Sequence, residues 1–183
     1  MSALFSALSQ KRTRADLKNH VYMQIAKTLS KLSTCRRLQV GAVLLGVDGS
    51  VVGTGYNGSL PGLAHCDEAT CNPERRCLRT RHAERSALDY SQASVATAYV
   101  THEPCLRCTQ DLIARGCKLI YFEVAYFGSP EEAEARDRLM RESGACKVQL
   151  HMACISDELT VSESADVNHA DRRINHERSS KKA

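Results

Sequence analysis

Two short segments constrain the fold of this chain more than anything else in it: His82-Ala83-Glu84 and Pro104-Cys105-Leu106-Arg107-Cys108. Cys105 and Cys108 stand at i and i+3, so in a helix they share a face. Proline is favoured where a helix begins, so Pro104 puts both thiols in a first turn. There the positive end of the helix dipole favours thiolates. His82 and Glu84 are i and i+2, and such residues do not face each other along a helix. They can serve one site only where the chain enters a helix. The fold must therefore aim two helix N-termini at one point. One His and two Cys make an open zinc site, with water as the fourth ligand. Zinc acidifies that water, and Glu84 is placed as the proton shuttle. A redox C-x-x-C pair and a closed structural zinc site compete with this reading. The proline before the pair and the upstream H-A-E argue against the first. The lack of an obvious fourth protein ligand argues against the second.

The rest of the chain supplies elements for such a fold. Apolar residues at Leu17, Val21, Ile25, Leu29 and Leu32 predict a helix over Asp16–Ser33. Val40–Leu45 and Val51–Tyr56 read as strands joined by an Asp48-Gly49 hairpin turn. Residues 57–79 are rich in Gly, Pro, Asn and Cys, and lack periodicity. A loop of that length in a compact domain is expected to be functional or tied by metal. Helices are predicted over His82–Gln92, from Pro104 to about Arg115 with Gly116 as the stop, and over Pro130–Ser143 ending near Gly144. Strands are predicted at Thr97–Thr101, Leu119–Glu123 and Lys147–His151. The fold class is therefore α/β, a sandwich with a mixed sheet. One domain is expected over residues 16–155, with an N-terminal arm over 1–15 and a polar, peripheral or disordered tail over 156–183.

Composition narrows the partners. Nine cysteines would suggest disulfides in a secreted chain, but residues 1–14 lack the apolar core and cleavage site of a secretory signal. Metal binding is the better reading. Cys35, Cys66, Cys71 and Cys77 form one set, while Cys117, Cys146 and Cys154 are expected to be small core residues. No apolar run reaches the length of a membrane span, so a soluble, cytoplasmic protein is expected. Aromatic residues make up 5% and Trp is absent, which weakens a base-stacking platform for single strands. A net charge of +4 suits a phosphorylated small ligand, and no stable nucleic-acid partner is expected.

H-x-E with P-C-x-x-C is the signature of zinc deaminases. Other segments narrow it. Ser33–Ala42, Gly55-Tyr56-Asn57-Gly58, His65-Cys66, Cys71, Cys77–Glu84 and Tyr99–Cys108 resemble the deoxycytidylate (dCMP) deaminase family. The likeness is strongest to its bacterial and phage branch, which includes the competence-operon deaminase, and covers about residues 16–151. The resemblance implies the cytidine deaminase α/β/α sandwich with a five-stranded mixed sheet. It implies hydrolysis of dCMP to dUMP and ammonia, which supplies thymidylate synthesis. It also implies a homo-oligomer, often a hexamer, activated by dCTP and inhibited by dTTP with Mg2+.

Carried over to this sequence, Asn57 would contact the deoxyribose, although an Asn-Gly pair is also an ordinary turn. Tyr126 would border the nucleotide, and Arg37 would bind phosphate or effector. Cys35, Cys66, Cys71 and Cys77 would hold a second, structural zinc, with His65 as the rival ligand. His102, next to the Cys pair, reads either as a residue that supports the metal ligands or as a packing residue. Two positions depart from the pattern: Ser86 replaces an asparagine, and Ala125 a residue that is often acidic. With Ser86 and Ala125 both near the pocket, a dCMP methylated or hydroxymethylated at carbon 5 becomes an alternative substrate. A deaminase of bases in RNA or DNA and a non-enzymatic nucleotide sensor are the other readings. The intact Glu84 argues against a sensor.

Overall fold

The computed structural model describes residues 13–66, 71, 77, 79–126 and 128–151. The first helix, α1 (Arg14–Ser30), starts earlier than its apolar spacing predicts. Thr13 caps it: its Oγ1 accepts from the Asp16 amide at 3.1 Å, and Asp16 Oδ2 accepts from the Thr13 amide at 3.0 Å. This reciprocal pair satisfies two otherwise orphaned donors and fixes the first turn. The helix stops short of Ser33, and residues 31–33 follow in tighter turns, with Leu32 N donating to Leu29 O and Ser33 N to Ser30 O.

Next come β1 (Gly41–Leu45), β2 (Val51–Tyr56) and two short strands, β3 (Gly58–Ser59) and β4 (Thr80–Arg81). They are followed by α2 (Ala83–Asp89), β5 (Thr97–His102), α3 (Leu106–Ala114), β6 (Leu119–Val124), α4 (Pro130–Ser143) and β7 (Cys146–Gln149). Five strands form one sheet in the order β2-β1-β5-β6-β7. β1 runs antiparallel to β2 and β5, whereas β5–β6 and β6–β7 are parallel. The sheet is mixed, as expected. The predicted turn closes the β1–β2 hairpin, with Gly49 at φ 79° and Gly46 N donating to Ser50 O. β3 pairs with β4, so the two ends of the long loop are stitched together beside the start of α2.

Alternation along the strands divides the core in two. Val43, Leu45 and Tyr99 pack with Met23 and Ala26 of α1 on one face. Ala42, Leu44, Ala98, Val100 and Ile120 pack with α2, α3 and α4 on the other, through Ala83, Ala87, Leu112 and Met140. With both faces covered, β1 is buried along its whole length, and its sequence accordingly is a continuous apolar run. Cys117 is in the core, as expected. Cys146 is not: it opens β7 exposed, because the last edge strand has solvent on one side. Cys154, the tail over 156–183 and most of the arm lie outside the described residues.

Candidate metal centre and its cavity

The two helix starts meet as the spacing requires. His82 is the N-cap of α2, and Cys105 is the N-cap of α3, two positions earlier than a helix opening at Pro104 would place it. Cys108 follows in the first turn of α3. His82 Nδ1 lies 3.6 Å from Cys105 Sγ and 3.3 Å from Cys108 Sγ. Tetrahedral zinc, with bonds of about 2.3 Å to sulfur and 2.0–2.1 Å to nitrogen, requires an N···S separation of about 3.6 Å. The three donors fit that ion. Among the described residues they are the only group of three or more His, Cys, Asp or Glu side chains that converges in this way.

The electrostatics agree. A hydrogen bond from Cys108, helped by His82, pushes the Cys105 thiol down to about 3. The same pairing, together with burial, holds the proton on Cys108. A divalent ion held by both sulfurs would displace protons from them. Glu84, in the first turn of α2, is 4% exposed. Burial pushes its carboxyl above the usual carboxylate range, and it contacts the Cys108 thiol.

Glu84, His82 and Cys105 form one wall of a cavity of about 470 Å³. Arg37, Asn57, Tyr126 and His102 line it too. Arg37 and Tyr126 are exposed at its surface, as a phosphate ligand and a nucleotide border would need to be. Asn57 is buried and holds backbone: Oδ1 accepts from Val40 N and Nδ2 donates to Leu38 O, both at 2.7 Å. His102 is half-buried, and burial pushes its imidazole down against the pull of Glu123. Its Nδ1 lies 3.1 Å from Thr101 Oγ1.

Ser86 is not among the residues that line this cavity; its backbone lies against Gly55 of β2. Ala125 does not line the cavity either. The second cysteine set is only partly assembled. Cys66 Sγ and Cys77 Sγ lie 4.0 and 3.2 Å from the same Thr80 Oγ1, and Cys35 lines the cavity beside Cys77. Burial opposes ionisation of Cys77. Its hydrogen bonds with Thr80 and the Arg79 amide, and the nearby Arg37 charge, nevertheless hold its thiol below the usual value. Cys71 is half-buried and His65 exposed.

Two features escaped the sequence reading. One is a second cavity of about 410 Å³, sharing His82 and Cys105 with the first and lined by Arg79, Arg81, Arg85 and Arg107. Arg81 pairs there with Asp89, and Arg85 with Asp111. The other is Glu103, a buried carboxylate in the first cavity that pairs with Arg136 of α4 and Lys147 of β7. Its signal was an acidic residue between a buried strand and the metal-ligand turn, a place where a charge persists only if it has a partner.

Comparison with known proteins follows the same lines. A family model described as the cytidine and deoxycytidylate deaminase zinc-binding region matches residues 17–124. ComE operon protein 2 of Bacillus subtilis (strain 168) is 36% identical over 149 residues, covering 78% of this chain and 74% of that protein. Deoxycytidylate deaminase of Mycobacterium phage D29 is 36% identical, over 55% of this chain and 90% of its own length. The crystal structure of the dCMP deaminase from the cyanophage S-TIM5, in apo form, aligns with a TM-score of 0.59 at 25% identity. It covers 75% of this chain and 100% of that one. Its zinc-ligand cluster, its sheet and these matches place the chain in the zinc-binding cytidine and deoxycytidylate deaminase family, as a deaminase.

Proposed function

We propose that this deaminase hydrolyses dCMP to dUMP and ammonia, and so supplies dUMP for thymidylate synthesis. The observation that carries the reading is a nearly fully buried Glu84 beside a three-donor metal cluster, in the wall of a cavity large enough for a mononucleotide. When bound at His82, Cys105 and Cys108, zinc supplies a Lewis acid that brings the pKa of water at its open position toward 7. Glu84 would take up one proton of the attacking water and pass it to the ring nitrogen, then take up the second and pass it to the departing amine, which leaves as ammonia. Burial favours its protonated form, which suits it to hold each proton between uptake and delivery. Arg37 at the cavity mouth is the phosphate ligand in this reading, and Tyr126 borders the base or sugar. Asn57 holds residues 38–40, the floor on which the deoxyribose would rest.

Ser86 and Ala125 are not among the residues lining the cavity, which supports plain dCMP over a 5-substituted base. The arginine-lined cavity is the one feature that suits a deaminase of bases in nucleic acid. Asp89 and Asp111 already neutralise two of its four guanidiniums, which favours the free nucleotide. A structural zinc at Cys35, Cys66, Cys71 and Cys77 belongs to the same reading, supported by the shared Thr80 contact and the lowered Cys77 thiol. Assembly as a homo-oligomer, control by dCTP and dTTP with Mg2+, and a place in the cytoplasm rest on the family resemblance. No described helix is long and apolar enough to cross a membrane.

The test is ammonia release from dCMP, CMP, dCTP, 5-methyl-dCMP, 5-hydroxymethyl-dCMP and a single-stranded oligonucleotide. dCMP is expected to be the best substrate, and preferential turnover of the oligonucleotide would sink the reading. Glu84→Gln should keep zinc and lose roughly 10²–10⁴ in kcat.

A further inference from the structure

The Glu103 cluster joins the metal-ligand turn to parts of the chain that have no residue at the metal centre. Glu103 lies two residues before Cys105, at the end of β5. Its Oε1 accepts from Arg136 Nη2 at 2.9 Å and from Lys147 Nζ at 2.6 Å. Its Oε2 accepts from the backbone N–H of Tyr126 at 3.2 Å. Arg136 turns its other terminal nitrogen to the Pro104 carbonyl, with Nη1 to O at 3.2 Å. Lys147 is itself held by Asp137 Oδ1 at 2.6 Å. Glu103 and Arg136 are 8% and 5% exposed.

With both oxygens occupied, this carboxylate is not poised to shuttle protons. Burying an ion pair gains little stability over apolar packing, so its effect lies in the geometry it imposes. Two groups are set by it. One is the carbonyl of Pro104, the residue that delivers Cys105. Proline has no N–H, so the carbonyl is the one backbone hydrogen-bonding group of Pro104, and Arg136 holds it more closely than Thr109 Oγ1 does at 3.5 Å. The other is the backbone of Tyr126, which carries one wall of the nucleotide cavity.

We propose that Glu103 and Arg136 are positioning residues that lock the Cys105 turn and the Tyr126 wall to α4 and β7 as a single frame. This rests on the dCMP reading only for the substrate used in its kinetic arm. Glu103→Gln weakens the hold on Tyr126, which touches ground state and transition state alike. KM for dCMP should therefore rise about tenfold, with kcat within about threefold. Arg136→Lys keeps a charge for Glu103 but cannot also span to Pro104 O. Its zinc dissociation constant, read by competition with a chromogenic chelator, should rise about tenfold or more, with KM little changed. Met23→Ala, buried under α1 on the other sheet face, is the control for plain destabilisation and should move neither quantity.

KM and zinc affinity within threefold of the parent in both variants overturns the proposal. So does a Met23→Ala variant that shifts them equally. If Glu103→Gln does not fold, Lys147→Met removes one of the two cations and should raise KM by a smaller factor; an unchanged KM there overturns the proposal as well. Failure to turn over dCMP would sink the functional reading, while the zinc arm would still decide this one.

Discussion

Gly55 gives the most direct test of how the metal centre is built. It sits in β2 where α2 crosses the sheet. A methyl group there would overlap the carbonyl oxygen of Ala83, and would lie 2.5 Å from the Ala87 amide nitrogen and 3.0 Å from the Ser86 carbonyl carbon. Ordinary contacts of this kind are about 3.5–4.0 Å. Relief therefore requires α2 to lift by about 1 Å, since the obstacle is helix backbone and cannot swing aside. The backbone of Gly55 is ordinary extended strand, so alanine's backbone conformation is unstrained there and only its methyl group lacks room. Its effect on the unfolded chain alone would stabilise by about 0.4–1 kcal/mol. Overpacking costs about 1–3 kcal/mol, leaving a net loss of about 1–2 kcal/mol for Gly55→Ala. Activity should suffer more than stability. His82 and Glu84 ride on the displaced turn, and a misplacement of about 1 Å can cost about 10²-fold. Urea denaturation and kcat/KM for dCMP measure the two effects, with Thr54→Ala, an exposed neighbour on the same strand, as control. A Gly55→Ala protein with parental stability and activity would refute the close-approach argument.

Asn57→Ala strands the buried Val40 amide, while the Leu38 carbonyl of a part-exposed residue can turn to water, and should cost about 1–3 kcal/mol; an unchanged urea midpoint contradicts this. Burial, with Tyr121 and Tyr22 beside it, pushes the Tyr99 phenol up to about 12, while its hydroxyl donates to Asn19 at 2.8 Å. A folded value above the unfolded one means that its contribution is complete below pH 10 and is lost as pH rises toward 12. About 2–3 kcal/mol should disappear over that window and be missing from the pH dependence of Tyr99→Phe; identical slopes for the two proteins would dismiss it. Chelation should lower the Tm and zinc, but not Mg2+, should restore it, since a thiolate site selects the softer ion. Metal analysis should find two zinc ions per chain and one in Cys77→Ser; one in both would remove the structural site.

The chemistry of the centre was legible in the sequence because its parts are local. Cys105 and Cys108 are one helical turn apart, and H-A-E works only at a helix entry, so residue spacing alone implied two converging N-termini. The sheet was legible for a similar reason: alternating and continuous apolar runs report which strand faces are covered. The start of α1 could have been read from Thr13-x-x-Asp16, but apolar periodicity says nothing about a cap. What tertiary structure alone decided is the company each side chain keeps. Asn57 reaches back to the backbone of Leu38 and Val40. Glu103 meets Arg136 and Lys147, which come from elements much later in the chain. Such pairings carry no periodicity and no short spacing. They arise only when the parallel β5–β6–β7 order brings α4 and β7 alongside the metal-ligand turn, and there a buried carboxylate is stable only with its cations beside it.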